Sequence, residues 1–140
     1  MISTSVDCLV DTNVLVYACA KAGAGDSRRE RARALLSSVR YGTSAQILQE
    51  FYVVVTRKVG VQMSSRLASR YVEKLSRLPC VAVDSNLVVL AIGISRRFMI
   101  SYWDAAVLAA AQELGVATVY TEDLNHGQKY GTVTVINPFK

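Results

Sequence analysis

The chain has 140 residues, 51% of them hydrophobic and only 19% charged, a balance that builds a buried core and excludes a disordered chain. Its net charge of +5, from 16 Lys and Arg against 11 Asp and Glu, suits a polyanionic partner without proving one. No apolar run reaches the roughly 18 residues of a membrane span, the opening residues do not read as a leader, and three scattered cysteines with one histidine argue against a disulfide framework or zinc site, so a cytoplasmic protein with no membrane partner is expected.

Residues 6–10 read as a short buried strand running into Asp11-Thr12-Asn13, with a helix from about Val14 to Ala20. Gly23 and Gly25 mark a break. Ser27 and Glu30 have the spacing of a capping box, opening an Arg-rich helix that runs to about Val39. Tyr41-Gly42-Thr43 predicts a brief strand before a helix carrying Ile47, Leu48, Phe51, Val54, Val55 and Val59. A further helix is expected from Ser64 or Ser65 to Leu78, with Leu67, Tyr71, Leu75 and Leu78 as its apolar stripe. Pro79 stops it, and residues 80–83 look like a strand. Helices follow at about 85–97 and 102–114, the second ended by Gly115. Residues 116–120 and 132–136 are strand-like and flank a polar loop. Strands alternating with helices predict one α/β domain over residues 1–140 with a mostly parallel sheet.

Four acidic residues stand out against this pattern: Asp11 in V-D-T-N-V-L, Glu50 in A-Q-I-L-Q-E-F, Asp104 in S-Y-W-D-A-A and Asp123 in Y-T-E-D-L. Each adjoins strongly apolar sequence, where an unpaired carboxylate costs several kcal/mol or is neutralised. In a parallel α/β fold, ligands bind beyond the carboxyl ends of the strands. Asp11 and Asp123 follow strands, and Asp104 and Glu50 lie in the first turns of helices, so all four can converge there. Hard divalent ions prefer such an oxygen donor set.

Each acid also has an ordinary structural use. Asp11 and Asn13 are good helix N-caps, and Ser101-x-x-Asp104 has capping-box spacing. Glu50 is free to pair with Arg57 or to be solvated. Asp123 is suited to capping the turn after Thr121, and the adjoining Glu122 is an alternative acid.

Taken together, D-T-N-V-L, S-A-Q-I-L-Q-E-F-Y, S-Y-W-D-A-A, Y-T-E-D-L-N-H-G-Q and a final I-N-P-F resemble the PIN-domain family, most like its VapC-type toxins of type II toxin–antitoxin systems. The resemblance spans the chain in order. It implies a three-layer α/β/α domain, a central, mostly parallel sheet flanked by helices. It also implies Mg²⁺- or Mn²⁺-dependent ribonuclease activity, with Asp11, Glu50, Asp104 and Asp123 as the catalytic and metal-holding acids. Thr12, Asn13, Ser101 and Thr121 match the family's supporting positions. A small antitoxin partner, an RNA substrate and a homodimer follow from the same resemblance. Asp123, not Glu122, matches the T-x-D pattern.

Arg66, Arg70, Lys74 and Arg77 form one helical stripe, either a phosphate rail or a solvated face. Arg96 and Arg97 precede the Asp104 helix. Tyr102 and Trp103 beside Asp104 suit base stacking, with one of the two expected in the core. The apolar run at Tyr52 to Val55 is a candidate dimer surface. Two other readings fit less well. A phosphoaspartate phosphatase needs a second Asp where Asn13 stands, and Asn cannot transfer a proton. A non-catalytic binding module leaves four acids without basic partners.

Overall fold

The computed structural model describes residues 6–21 and 27–140. Six strands and six helices alternate along them: β1 (Cys8–Val10), α1 (Thr12–Ala18), α2 (Arg28–Ser38), β2 (Tyr41–Ser44), α3 (Ala45–Arg57), α4 (Ser65–Leu75), β3 (Cys80–Val81), α5 (Ser85–Phe98), α6 (Tyr102–Leu114), β4 (Thr118–Tyr120), β5 (Lys129–Tyr130) and β6 (Val133–Ile136). The sheet order is β3-β2-β1-β4-β6-β5, parallel throughout except for β5, which pairs antiparallel with β6. The expected α/β fold with a mostly parallel, helix-flanked sheet is the one observed.

The central strand explains the layers. Successive strand residues face opposite sides of a sheet, and Cys8, Leu9 and Val10 are all buried, so both faces are covered. On one face lies α6, which touches β1, β2, β3, β4 and β6. It buries Ala105, Ala106, Ala109, Ala110 and Ala111 together with Val107, Leu108 and Leu114. Small side chains let this helix sit close to the sheet, and α5 packs along it. Close approach is tightest at Gly42 of β2. A β carbon there would collide with the Leu114 side chain and stand 2.9 Å from the Pro79 carbonyl oxygen. The other helices form a connected group, α2 on α1, α1 on α3 and α3 on α4.

Several local expectations change. The Ser27 side chain makes no cap hydrogen bond, so the capping box does not form. The third helix ends at Arg57, leaving Val59 outside it and 84% exposed. The fourth stops at Leu75, and its buried residue is Ala68, while Leu67 and Tyr71 of the expected stripe are exposed. Val83 is exposed beyond the short β3. The polar loop after β4 contains β5, whose pairing with β6 is closed by a turn at Gly131. The break expected at Gly23 and Gly25 lies outside the described residues. No described helix is long and apolar enough to cross a membrane.

Candidate active site

The site forms where β1 and β4 end side by side. The Asp11 backbone N–H continues the ladder by donating to the Tyr120 carbonyl at 3.0 Å, and the Thr121 N–H donates to the Ile136 carbonyl at 3.1 Å. This fixes Asp11 and Thr121 as neighbours at the carboxyl edge of the sheet. Asp11 is the N-cap of α1. Its Oδ1 accepts from the Thr12 N–H at 2.7 Å and its Oδ2 from the Thr121 hydroxyl at 2.8 Å. The capping use and the site use of Asp11 therefore coexist, one per carboxylate oxygen.

Thr121 is the hub of the network. Besides donating to Asp11, its oxygen accepts from Asn13 Nδ2 at 3.2 Å and from the Asp123 N–H at 3.1 Å. That uses its full capacity of one donor and two lone pairs. Asn13 Nδ2 also donates to Asp123 Oδ2 at 3.1 Å. Asp123 thus does not cap the turn; Thr121 does, and Asn13 steers the Asp123 carboxylate. Across the cleft, Glu50 of α3 accepts from the Thr12 hydroxyl at 3.1 Å and from Gln46 at 3.0 Å. Its pairing with Arg57, the alternative open in the sequence, is not made. Ser101 caps α6 by accepting from the Asp104 N–H at 3.1 Å.

Asp11, Glu50 and Asp123 line one cleft of about 200 Å³ together with Thr12, Asn13 and Lys58. Asp104 is outside that lining, yet its carboxyl senses the same charges. Burial raises its pKa, the Ser101 side chain lowers it, and repulsion from Asp123 and Glu50 raises it further. Asp11 is only 5% exposed. Burial lifts its pKa from 3.8 to about 6, against hydrogen bonds from Thr12 and Thr121, with Asp123 and Glu50 adding repulsion. Asp11 and Asp104 are thus each repelled by the same two carboxylates, Asp123 and Glu50. Among the described residues none of the four has an ion pair.

Glu122 has a different environment. It accepts from the Tyr17 hydroxyl at 2.9 Å and lies 3.8 Å from Arg28, so its charge is engaged at the outer wall of the cleft.

The residues present fit a hard divalent cation in chemistry. The donors are all oxygens, the most buried carboxylate is destabilised as an anion, and the Asn13 Oδ1 is a buried acceptor without a hydrogen-bond partner. As the side chains stand, no three His, Cys, Asp or Glu among the described residues are close enough to share an ion. Hydrogen bonds from Thr12, Asn13, Gln46 and Thr121 engage the carboxylates of Asp11, Glu50 and Asp123. Water completes the coordination of Mg²⁺ in most of its protein sites, so a partial protein donor set suffices.

Two polar cleft residues were not singled out from the sequence, Tyr17 and Lys58. Helical spacing carried the signal: Tyr17 is four residues after Asn13 on α1, and Lys58 eight after Glu50 at the end of α3. The arginines of α2 turn out to be structural ties. Arg29 and Arg33 donate to the Ala20 and Ala18 carbonyls, and Arg31 to the Phe139 carbonyl. Arg66, Arg70, Lys74 and Arg77 are exposed and none lines the cleft. Tyr102 packs against the core, whereas Trp103 is 64% exposed.

A family model described as the PIN domain matches residues 8–131. No curated protein sequence matches the chain. Among solved structures, the chain is similar to a toxin–antitoxin complex from Klebsiella pneumoniae, with TM-score 0.70 and 18% identity over 96% of this chain and 99% of that one. It is also similar to Mycobacterium tuberculosis VapC20, described as a Sarcin-Ricin loop cleaving toxin, with TM-score 0.66 and 22% identity over 84% and 92%. A DNA-bound VapBC from Salmonella typhimurium matches with TM-score 0.61 and 18% identity over 93% and 96%. At such identities these likenesses speak to the fold.

Proposed function

The chain belongs to the PIN-domain family, and we propose that it is a metal-dependent endoribonuclease, the toxin of a toxin–antitoxin pair acting in the cytoplasm. One observation carries the reading: Asp11, Glu50 and Asp123 face a single cleft, Asp104 is repelled by two of them, and none of the four is ion-paired to a described basic residue. A self-repelling cluster of this kind is stabilised by a bound cation. Mg²⁺ or Mn²⁺ supplies an activated water and charge stabilisation for in-line cleavage of a phosphodiester.

The chain's own residues prepare that chemistry. Asp11, Glu50, Asp104 and Asp123 are the acids that would hold the metal. Thr121 fixes the Asp11 carboxylate, Thr12 orients Glu50, and Asn13 holds Asp123. Ser101 starts α6 so that Asp104 falls in its first turn. Such outer hydrogen bonds tune ligand direction and basicity. Asn13 serves here as a donor to Asp123, which leaves no second acid for phosphoaspartate chemistry.

The toxin role rests on the neighbouring structures, which include toxin–antitoxin complexes. A homodimer fits the exposed Tyr52 and Val53, which line a groove between α3 and α4 with Leu48 and Val72. The test is incubation of purified, antitoxin-free protein with total cellular RNA in Mg²⁺, in Mn²⁺ and in a chelator. Discrete fragments with either metal and intact RNA in the chelator are expected. Intact RNA throughout overturns the nuclease reading; retained RNA binding would then favour a binding module, and phosphomonoester turnover a phosphatase.

A further inference from the structure

We propose that Lys58, braced against the Tyr17 ring, is the phosphate-seating residue of the cleft, binding an RNA phosphate beside the one that is cleaved. The inference rests on the ribonuclease reading and adds a residue that none of the family's acidic motifs contains.

The argument begins with charge. A phosphodiester approaching four carboxylates is repelled until a cation compensates, and a metal ion acts only where it sits. Lys58 is the one basic side chain among the residues lining the cleft. It is exposed, and among the described residues it makes no ion pair, although Glu50, Glu122 and Asp123 line the same space. Its ammonium instead rests over the Tyr17 ring, 5.2 Å from the centroid. A cation–π contact of this kind fixes direction while leaving the ammonium hydrogens free for an anion.

The platform beneath it is itself rigid. The Tyr17 hydroxyl donates to Glu122 at 2.9 Å, and its ring packs edge-on against Phe139 at 5.0 Å. Glu50 and Val54 on α3 and Lys58 at its C-cap follow one another at four-residue steps, and all three line the cleft. Eight residues at about 1.5 Å each place Lys58 roughly 12 Å along the helix axis from Glu50. Lys58 lines the same cleft as the acids, so a phosphate seated at Lys58 lies beside one at the acids, and a strand spanning both lies along this face. The bland alternative is that Lys58 only complements the α3 dipole at its C-cap. Arg57 stands beside it for that purpose, and a dipole role predicts no RNA-dependent effect.

The test is fluorescence anisotropy with a mixed-sequence single-stranded RNA oligonucleotide in chelator, where nothing is cut, across a range of salt concentrations. Loss of one phosphate contact lowers the slope of log K against log salt by about 0.7 for a single strand. Lys58→Met is expected to lower it by that amount and to raise KM several-fold in the metal-loaded cleavage assay with little change in kcat. Lys58→Arg should keep the slope, and Lys129→Met, which removes a distant exposed charge, should leave it unchanged. An unaltered slope in Lys58→Met overturns the inference, as does an equal fall in Lys129→Met. If wild type cleaves RNA and the slope does not respond, this inference fails alone. If wild type binds without cleaving, the nuclease reading fails and the slope still decides Lys58. Absence of RNA binding in chelator together with absence of cleavage in either metal overturns both, and if cleavage persists without measurable binding in chelator, an unchanged KM in Lys58→Met overturns this inference.

Discussion

Asp11→Asn should stabilise the metal-free protein while destroying its activity. Burial raises the Asp11 carboxyl from 3.8 to about 6. A folded-state value above the unfolded one means that the native protein holds the proton more tightly. Stability is therefore complete below about pH 3.8 and is lost as pH rises through about 6. At about 1.36 kcal/mol per unit, ionised Asp11 costs the apo fold roughly 3 kcal/mol above neutral pH. An Asn removes that charge but turns one oxygen into a donor facing Thr121, whose lone pairs are already taken by Asn13 and Asp123. The net gain expected is up to about 2 kcal/mol, since an imperfectly paired buried group costs about 1–3 kcal/mol. Urea denaturation in chelator, with wild type and variant compared at about pH 4 and about pH 7.5, measures it. The variant should be the more stable at the higher pH, with the difference shrinking towards the lower. A variant less stable at both, by the same amount, would refute the claim that Asp11 is a destabilised buried anion.

The remaining predictions concern the frame and the rim. Gly42→Ala should destabilise by about 1–3 kcal/mol, the range for overpacking, because the added methyl meets Leu114 and the Pro79 carbonyl; the urea midpoint reads this. Met99 caps α5 with φ 56 and is 87% exposed, so Met99→Gly should raise stability by up to about 1 kcal/mol by relieving a left-handed β carbon, visible as a higher Tm. Trp103→Ala should leave the fold within about 0.5 kcal/mol of wild type, as exposed substitutions do, yet weaken RNA binding through the loss of a stacking surface worth about 1–3 kcal/mol. Trp103 is the only tryptophan, so quenching of wild-type fluorescence by RNA checks the same point, and unquenched emission at saturating RNA would contradict it.

Where the sequence was informative, short-range physics decided the outcome. Tyr102–Leu114 was legible at both ends because a Ser cap and a glycine in the left-handed region mark them. Asp11 and Asp123 were legible as edge residues because each follows an apolar strand. Val59 and Val83 misled because an apolar side chain carries no sign of whether anything covers it. The strand β5 was hidden for a related reason: two residues, Lys129 exposed and Tyr130 buried, make no pattern until β6 pairs with them. The division of labour between Glu122 and Asp123 could not be read locally either. Two adjacent acids are separated only by Asn13 reaching one and Tyr17 with Arg28 reaching the other. The roles of Tyr17 and Lys58 likewise depend on α1 and α3 packing against each other.

The central claim is that four carboxylates form one cation site, and Mn²⁺ titration of the chelator-treated protein, followed by electron paramagnetic resonance, tests it most directly. Wild type should bind Mn²⁺, with Mg²⁺ competing, and Asp104→Asn should bind it much more weakly while remaining folded. Free Mn²⁺ at every protein concentration, or equal binding by wild type and Asp104→Asn, would contradict the account.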